Sequence, residues 1–237
     1  MARVELSDDE DLVGPEGAKR QAVYESIFGA FPTHHGKSVS RKARDEQGLS
    51  ASALVYGEIA YPSFFATLEK IRTKYGVDKG VMQRPGVDIF YDLGSGAGKP
   101  PIAAATAFPF KKCVGIEYLG PLVDASKDAQ REYEARSDDL RKLLDSTPAR
   151  VEFVEGDVAS LDWSDATVCF ANSTCFDDDL MDAIATAARS LPDNAFFITL
   201  TKKLPSPSFA VVDSEVYQMS WGGATVFIHQ KLHDDHH

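Results

Sequence analysis

The stretch Asp92-Leu93-Gly94-Ser95-Gly96-Ala97-Gly98-Lys99 directly follows a short apolar run and alternates glycine with other residues. Glycines let a backbone turn sharply and come close to a ligand. The dinucleotide fingerprint G-x-G-x-x-G requires its third glycine at position 99, where Lys99 stands. The phosphate loop G-x-x-x-x-G-K-S/T requires a glycine where Leu93 stands and a hydroxyl residue where Pro100 stands. What remains is D-x-G-x-G-x-G, whose backbone amides suit a ligand carboxylate better than a pyrophosphate. A structural turn with no ligand is the alternative reading.

Three further polar positions close apolar runs. Glu117 lies 19 residues beyond Gly98. That is about the spacing at which a strand-end acid accepts hydrogen bonds from both hydroxyls of a ribose. Asp157, after Gly156, either accepts the amino hydrogens of an adenine or serves as a strand-terminating turn acid. Asn172 closes the run 166–172 and precedes Ser173 and Thr174, groups able to orient a cofactor and an incoming nucleophile. The Asn/Asp-Pro-Pro-aromatic motif of methyltransferases acting on exocyclic base amines does not occur at this point. Cys175 has no base nearby in sequence and reads as structural. Asp177, Asp178 and Asp179 read as the cap and first turn of a helix rather than as metal ligands, and no metal site is expected.

The elements that must hold these residues alternate. Strands are expected at 88–93, 112–117, 151–156, 166–172 and 194–201, with helices following the first, second and fourth. Pro100 and Pro101 open the first of these helices, and an amphipathic pattern from Leu122 to Leu143 marks the second as a single long one. Two last apolar runs, 209–221 and 224–232, have no helix between them and form an antiparallel hairpin. The expected fold is therefore α/β: a mostly parallel seven-strand Rossmann-like sheet with a C-terminal antiparallel hairpin. All the candidate residues above lie at carboxyl ends of parallel strands, where open sheets bind ligands. Before the sheet, residues 1–20 are expected to be mobile, and 21–87 to form a helical extension with helices near 21–31 and 62–76. Residues 88–231 form the core and 232–237 a frayed tail.

The chain has 237 residues and a formal net charge of −11, with 43% hydrophobic and 26% charged residues. This is ordinary globular composition and excludes a disordered, collagenous or disulfide-scaffold protein. The acidity argues against strong intrinsic nucleic-acid binding. The basic cluster Lys37, Arg41, Lys42 and Arg44 reads as a solvated loop or as a docking contact. No apolar run spans a membrane, no secretory leader is visible, and three cysteines without CxxC spacing point to reduced thiols inside a cell.

The D-x-G-x-G-x-G pattern is the one seen in S-adenosylmethionine (SAM) methyltransferases, which makes SAM the expected cofactor. Over roughly residues 54–231 the chain resembles the disruptor-of-telomeric-silencing class of SAM-dependent histone lysine methyltransferases, as a divergent, minimal member. Val55-Tyr56-Gly57-Glu58 is similar to that family's V-Y-G-E loop, and residues 92–98 to its D-L-G-S-G-x-G. Gly115-Ile116-Glu117 is similar to its G-V-E, and Gly156-Asp157 to its G-D-F, with Val158 in place of the aromatic. Phe170-Ala171-Asn172 resembles its F-V-N-N-F run, with Ser173 and Thr174 in place of Asn and Phe. Met219-Ser220-Trp221 resembles its V-S-W, and the tyrosine pair that follows is reduced to Val226-Phe227.

The resemblance implies that Tyr56, Gly57 and Glu58 close over the methionine part of SAM. It implies that Asp92, Gly94, Ser95, Gly96, Gly98, Glu117, Asp157 and Asn172 bind the cofactor. Asn172, Trp221 and Phe227 would serve catalysis, the last two as walls of a lysine channel, with ordinary hairpin packing as the alternative. The implied partners are SAM and a protein substrate such as a core histone or nucleosome, and the implied compartment is the nucleus, otherwise the cytoplasm. The basic extension that family members use on DNA is not seen. A small-molecule or non-histone methyltransferase, or a SAM-binding module without catalysis, are the rival readings.

Overall fold

The computed structural model describes residues 9–29, 59–219 and 222–233. Within them the elements in chain order are α1 (Asp9–Phe28), α2 (Tyr61–Lys70), β1 (Ile89–Leu93), α3 (Lys99–Ala107) and β2 (Lys112–Glu117). Then follow α4 (Gly120–Ala135), α5 (Ser137–Leu144), β3 (Arg150–Glu155), β4 (Val168–Ala171) and α6 (Asp178–Ala187). The chain closes with β5 (Phe196–Leu200), β6 (Phe209–Met219) and β7 (Gly222–Lys231). The strands form one seven-stranded sheet in the order β3-β2-β1-β4-β5-β7-β6. Pairs among β1 to β5 are parallel, and β7 runs antiparallel to both β5 and β6. The strand order reverses between β1 and β4, so the ends of those two strands border a switch-point crevice.

Residues of β1, β4 and β5 are apolar at nearly every position because helices cover both faces of the sheet. On one face α1, α2 and α3 pack over Phe90, Phe170, Ile198, Val226 and Ile228. Phe64 of α2 meets the rings of Phe90 and Phe170 edge-on, at 5.9 and 5.2 Å between centroids. The run of alanines in α3 is buried from Ala103 to Ala107, and small side chains let that helix lie close to the sheet. On the other face α6 and Trp163 cover Tyr91, Leu93, Val114, Ile116 and Phe197. Asp177 caps α6, its Oδ1 accepting the Leu180 N–H at 2.9 Å. Among the described residues no helix is long and apolar enough to cross a membrane.

Two elements differ in extent from the sequence pattern. The helix expected near 21–31 begins earlier: α1 starts at Asp9, kinks at Gly14, and resumes with Pro15 in a first turn that tolerates it. The reason lies in a packed stripe that composition conceals. Val13, Tyr24, Ile27 and Phe28 are buried, and a Cβ on Gly17 would stand 2.8 Å from the Phe65 ring of α2, so the two helices cross at the glycine. This helix belongs to the same core as the sheet. The single long helix expected after β2 is two helices, broken at Arg136, which leaves helical geometry at φ −102°, ψ 15°. The Arg136 guanidinium donates to the Ser26 carbonyl and hydroxyl of α1, an anchor that lies outside the helix's own periodicity.

Candidate functional site

The glycine turn joins β1 to α3. Gly94, Gly96 and Gly98 all take positive φ, at 89°, 54° and 85°, which a side chain at these positions would oppose. Space demands glycine as well. A Cβ at Gly98 would lie 2.5 Å from Cζ of Phe153, and one at Gly115 would lie 2.6 Å from Oγ of Ser95. Phe153 of β3 therefore lies against the turn, a neighbour that no sequence motif announces. The Gly94 and Ser95 N–H groups both donate to the Ile116 carbonyl, at 2.8 and 2.9 Å, and so tie the turn to β2.

Two acids stand under this turn. Asp92 is 0% exposed, and neither of its carboxylate oxygens has a hydrogen-bond partner among the described residues. Burial, together with the charge of Glu117, pushes its pKa well above the ordinary carboxylate value. Glu117 is 7% exposed. It accepts the Gly96 N–H on Oε2 and the Leu119 N–H on Oε1, each at 2.9 Å. Burial raises its pKa, and these backbone donors act against the rise. The Ser95 hydroxyl is also buried without a partner among the described residues. Unpaired buried polar atoms of this kind are uncommon in a folded chain and make this turn the candidate ligand site.

The other candidates are distributed around this centre. The Glu117 carbonyl receives the Gly156 N–H at 2.9 Å, which brings the β3 end beside the β2 end. Asp157 is exposed, and its carboxylate accepts the Ala159 N–H at 2.9 Å and the Ser160 hydroxyl at 3.3 Å, as a turn acid does. Asn172 follows β4 and is half-buried; its Oδ1 accepts the Thr174 hydroxyl at 3.1 Å. Phe227 pairs with Thr199 of β5, which is in register with Ala171 of β4. It thus stands two strands, roughly 10 Å, from the end of β4. Its ring lies beneath the Lys203 ammonium at 5.5 Å and beside His229, so the structure does not bring it to the glycine turn. Tyr56, Gly57, Glu58 and Trp221 lie outside the described residues.

Among the described residues no group of three or more His, Cys, Asp or Glu side chains could hold a metal ion. Cys113 and Cys169 are buried in the core, which pushes both thiols far above reactive values. Cys175 stands half-buried in the turn after β4.

The comparisons fit this arrangement. A family model described as histone methylation protein DOT1 matches residues 37–220, most of the chain. The chain belongs to the DOT1 family. Solved structures similar to it include TrmN from Thermus thermophilus, with a TM-score of 0.51 at 16% identity over 73% of this chain and 52% of TrmN. A putative methylase from Haemophilus influenzae gives 0.46 at 15% identity, covering 68% of this chain and 89% of that one. The M. jannaschii tRNA m1G37 methyltransferase gives 0.47 at 13% identity, over 67% and 49%. This chain therefore spans about half the length of TrmN, and the likeness is one of fold. No curated protein sequence matches it.

Proposed function

We propose that this protein transfers a methyl group from SAM to a lysine amine of a protein, with a core histone as the substrate that its family membership favours. The observation that carries the SAM site is the Asp92 carboxylate, wholly buried and unpaired at the glycine turn. An ammonium is the ligand group that such a carboxylate calls for, and SAM carries one on its methionine part. The donor set fits the rest of that cofactor. Glu117 would hold the ribose hydroxyls. The turn 94–98 would face the methionine carboxylate, and Asp157 would take the adenine amine by releasing its local turn bonds. Tyr56, Gly57 and Glu58 would close over it. When bound, SAM supplies a sulfonium methyl as the electrophile.

The protein's part in the reaction is positioning. Asn172, at the end of β4, would hold the lysine amine in line with the methyl group, and near-attack geometry of this kind accounts for much of an enzyme's acceleration. The amine must arrive neutral. An apolar channel, with Trp221 as a candidate wall, disfavours the ammonium form and delivers the nucleophile. The net charge of −11 attracts basic protein segments and repels nucleic acid. A histone substrate would make this a nuclear, chromatin-modifying enzyme.

The same acidity favours a second reading, a methyltransferase acting on a small molecule or a non-histone protein. Transfer of radiolabelled methyl from SAM onto nucleosomes, free core histones and a metabolite extract separates the two. Label on a histone lysine supports the proposal, and label confined to small molecules ends it.

A further inference from the structure

Thr201, the residue after β5, has φ 66°. The left-handed region is a genuine outlier for a β-branched residue. The Lys202 N–H donates to the Leu200 carbonyl at 2.7 Å, which closes a three-residue γ-turn centred on Thr201. With positive φ at its centre this is the rare, strained form of that turn. Residues are held this way only where surrounding contacts over-determine them, and such residues gather at functional sites.

The contacts that hold Thr201 lead to the candidate site. The Thr201 N–H donates to the Thr225 carbonyl of β7 at 2.7 Å. The Leu200 carbonyl that closes the turn also accepts the Ser173 hydroxyl at 2.6 Å. The Thr201 and Thr174 hydroxyls meet at 3.1 Å. Thr174 has one hydroxyl proton and gives it to Asn172 Oδ1, so Thr201 is the donor in the first bond. The chain Thr201 → Thr174 → Asn172 runs from the end of β5 to the end of β4.

We propose that Thr201 is a positioning residue: its strained turn sets the Asn172 amide through the Thr174 hydroxyl. The inference rests on the reading of Asn172 as the group that orients the reactants. Both relay hydroxyls are supplied by positions outside the glycine-turn motif, and among the described residues no hydrogen bond joins either to Asp92 or Glu117.

The test reads the Asn172 side-chain amide directly, by nuclear magnetic resonance of the ligand-free protein, its two proton signals being assigned by their loss in Asn172→Ala. In Thr201→Val and in Thr174→Val these signals should shift and broaden, and in Thr201→Ser they should keep their wild-type positions. Thr201→Gly removes both strain and hydroxyl. It should melt about 2–4 °C above the wild type while the amide signals move as in Thr201→Val. Unchanged Asn172 signals in Thr201→Val, or a Thr201→Gly protein that melts below the wild type, overturns the proposal. SAM affinity, measured by calorimetry, should stay within about twofold in Thr201→Val, because orientation and binding are separate roles. A wild type that binds no SAM would instead sink the cofactor reading and leave the amide experiment decisive for the relay alone.

Discussion

Replacing Asp92 with asparagine separates what the folded chain needs from what its ligand needs. In the ligand-free protein both oxygens of Asp92 are buried without a hydrogen-bond partner among the described residues, and the neighbouring charge is the like charge of Glu117. Leaving one buried polar group unpaired costs about 1–3 kcal/mol, and more when it is charged. Asparagine has nearly the same shape and no charge. Asp92→Asn should therefore stabilise the ligand-free protein at pH 7 by about 1–3 kcal/mol. For a chain of this size that is a rise of roughly 2–12 °C in melting temperature. The pH dependence fixes the sign. A carboxyl whose folded pKa is raised binds more protons folded than unfolded, from the ordinary carboxylate pKa up to the raised one. The wild type should thus lose stability as pH rises through that window, and Asp92→Asn should lose less. The ligand responds in the opposite direction. A charge-assisted hydrogen bond contributes about 1.5–3 kcal/mol, so SAM should bind Asp92→Asn about 10- to 150-fold more weakly. Thermal melts from pH 4 to 8 and calorimetric titration with SAM measure both effects. An Asp92→Asn protein that melts at or below the wild type and binds SAM equally well refutes the assignment of this carboxylate to a ligand ammonium.

Other outcomes follow from the same geometry. Gly98→Ala places a Cβ 2.5 Å from Phe153 Cζ and 2.8 Å from Ser126 Cβ at φ 85°, and should cost about 2–4 kcal/mol in denaturant unfolding. Measured in a Phe153→Ala background, the cost of Gly98→Ala should be smaller, and an equal cost in both backgrounds would leave backbone strain and the Ser126 contact as its sources. His229 is buried, its Nδ1 at 2.9 Å from the Phe197 carbonyl and its Nε2 accepting the Leu204 N–H at 3.1 Å. Burial lowers its pKa, and the positive charge of Lys203 adds to this, so the unfolded chain takes up the proton first. Stability from His229 is then present above the ordinary histidine pKa of about 6.5 and lost as pH falls below it. The stability gap between the wild type and His229→Phe should narrow from pH 7.5 to 5.5, and a constant gap over that range contradicts the neutral-ring assignment.

The sheet was legible because hydrophobic runs and turn residues alternate so regularly. β2 occupies 112–117 as its apolar pattern requires, and β6 and β7 pair as a hairpin because no helical segment separates them. The glycine turn was legible for the same local reason: its residues are chosen by backbone conformation, and conformation is written in residue type. The start of α1 was hidden because its buried stripe includes a glycine, whose contribution is closeness rather than hydrophobicity. The break at Arg136 was hidden because the apolar periodicity continues across it and the Arg136 bonds to Ser26 are tertiary. The Thr201 turn gave no signal at all, since a β-branched residue is the last choice for positive φ and only the assembled contacts hold it there. The placing of Asp92 and Glu117 at strand ends beside the glycine turn was legible, whereas their unequal surroundings, one bare and one bonded to two loop amides, emerge only from the fold.

The central claim is that the glycine turn and its two acids form a SAM site, and calorimetric titration of SAM into the wild type and into Glu117→Ala tests it most directly. Glu117 anchors the Gly96 and Leu119 amides and is assigned the ribose hydroxyls. The account predicts saturable one-to-one binding by the wild type, weakened about 10- to 150-fold in a Glu117→Ala protein that keeps its fold by circular dichroism. No binding by the wild type, or undiminished binding by Glu117→Ala, contradicts it.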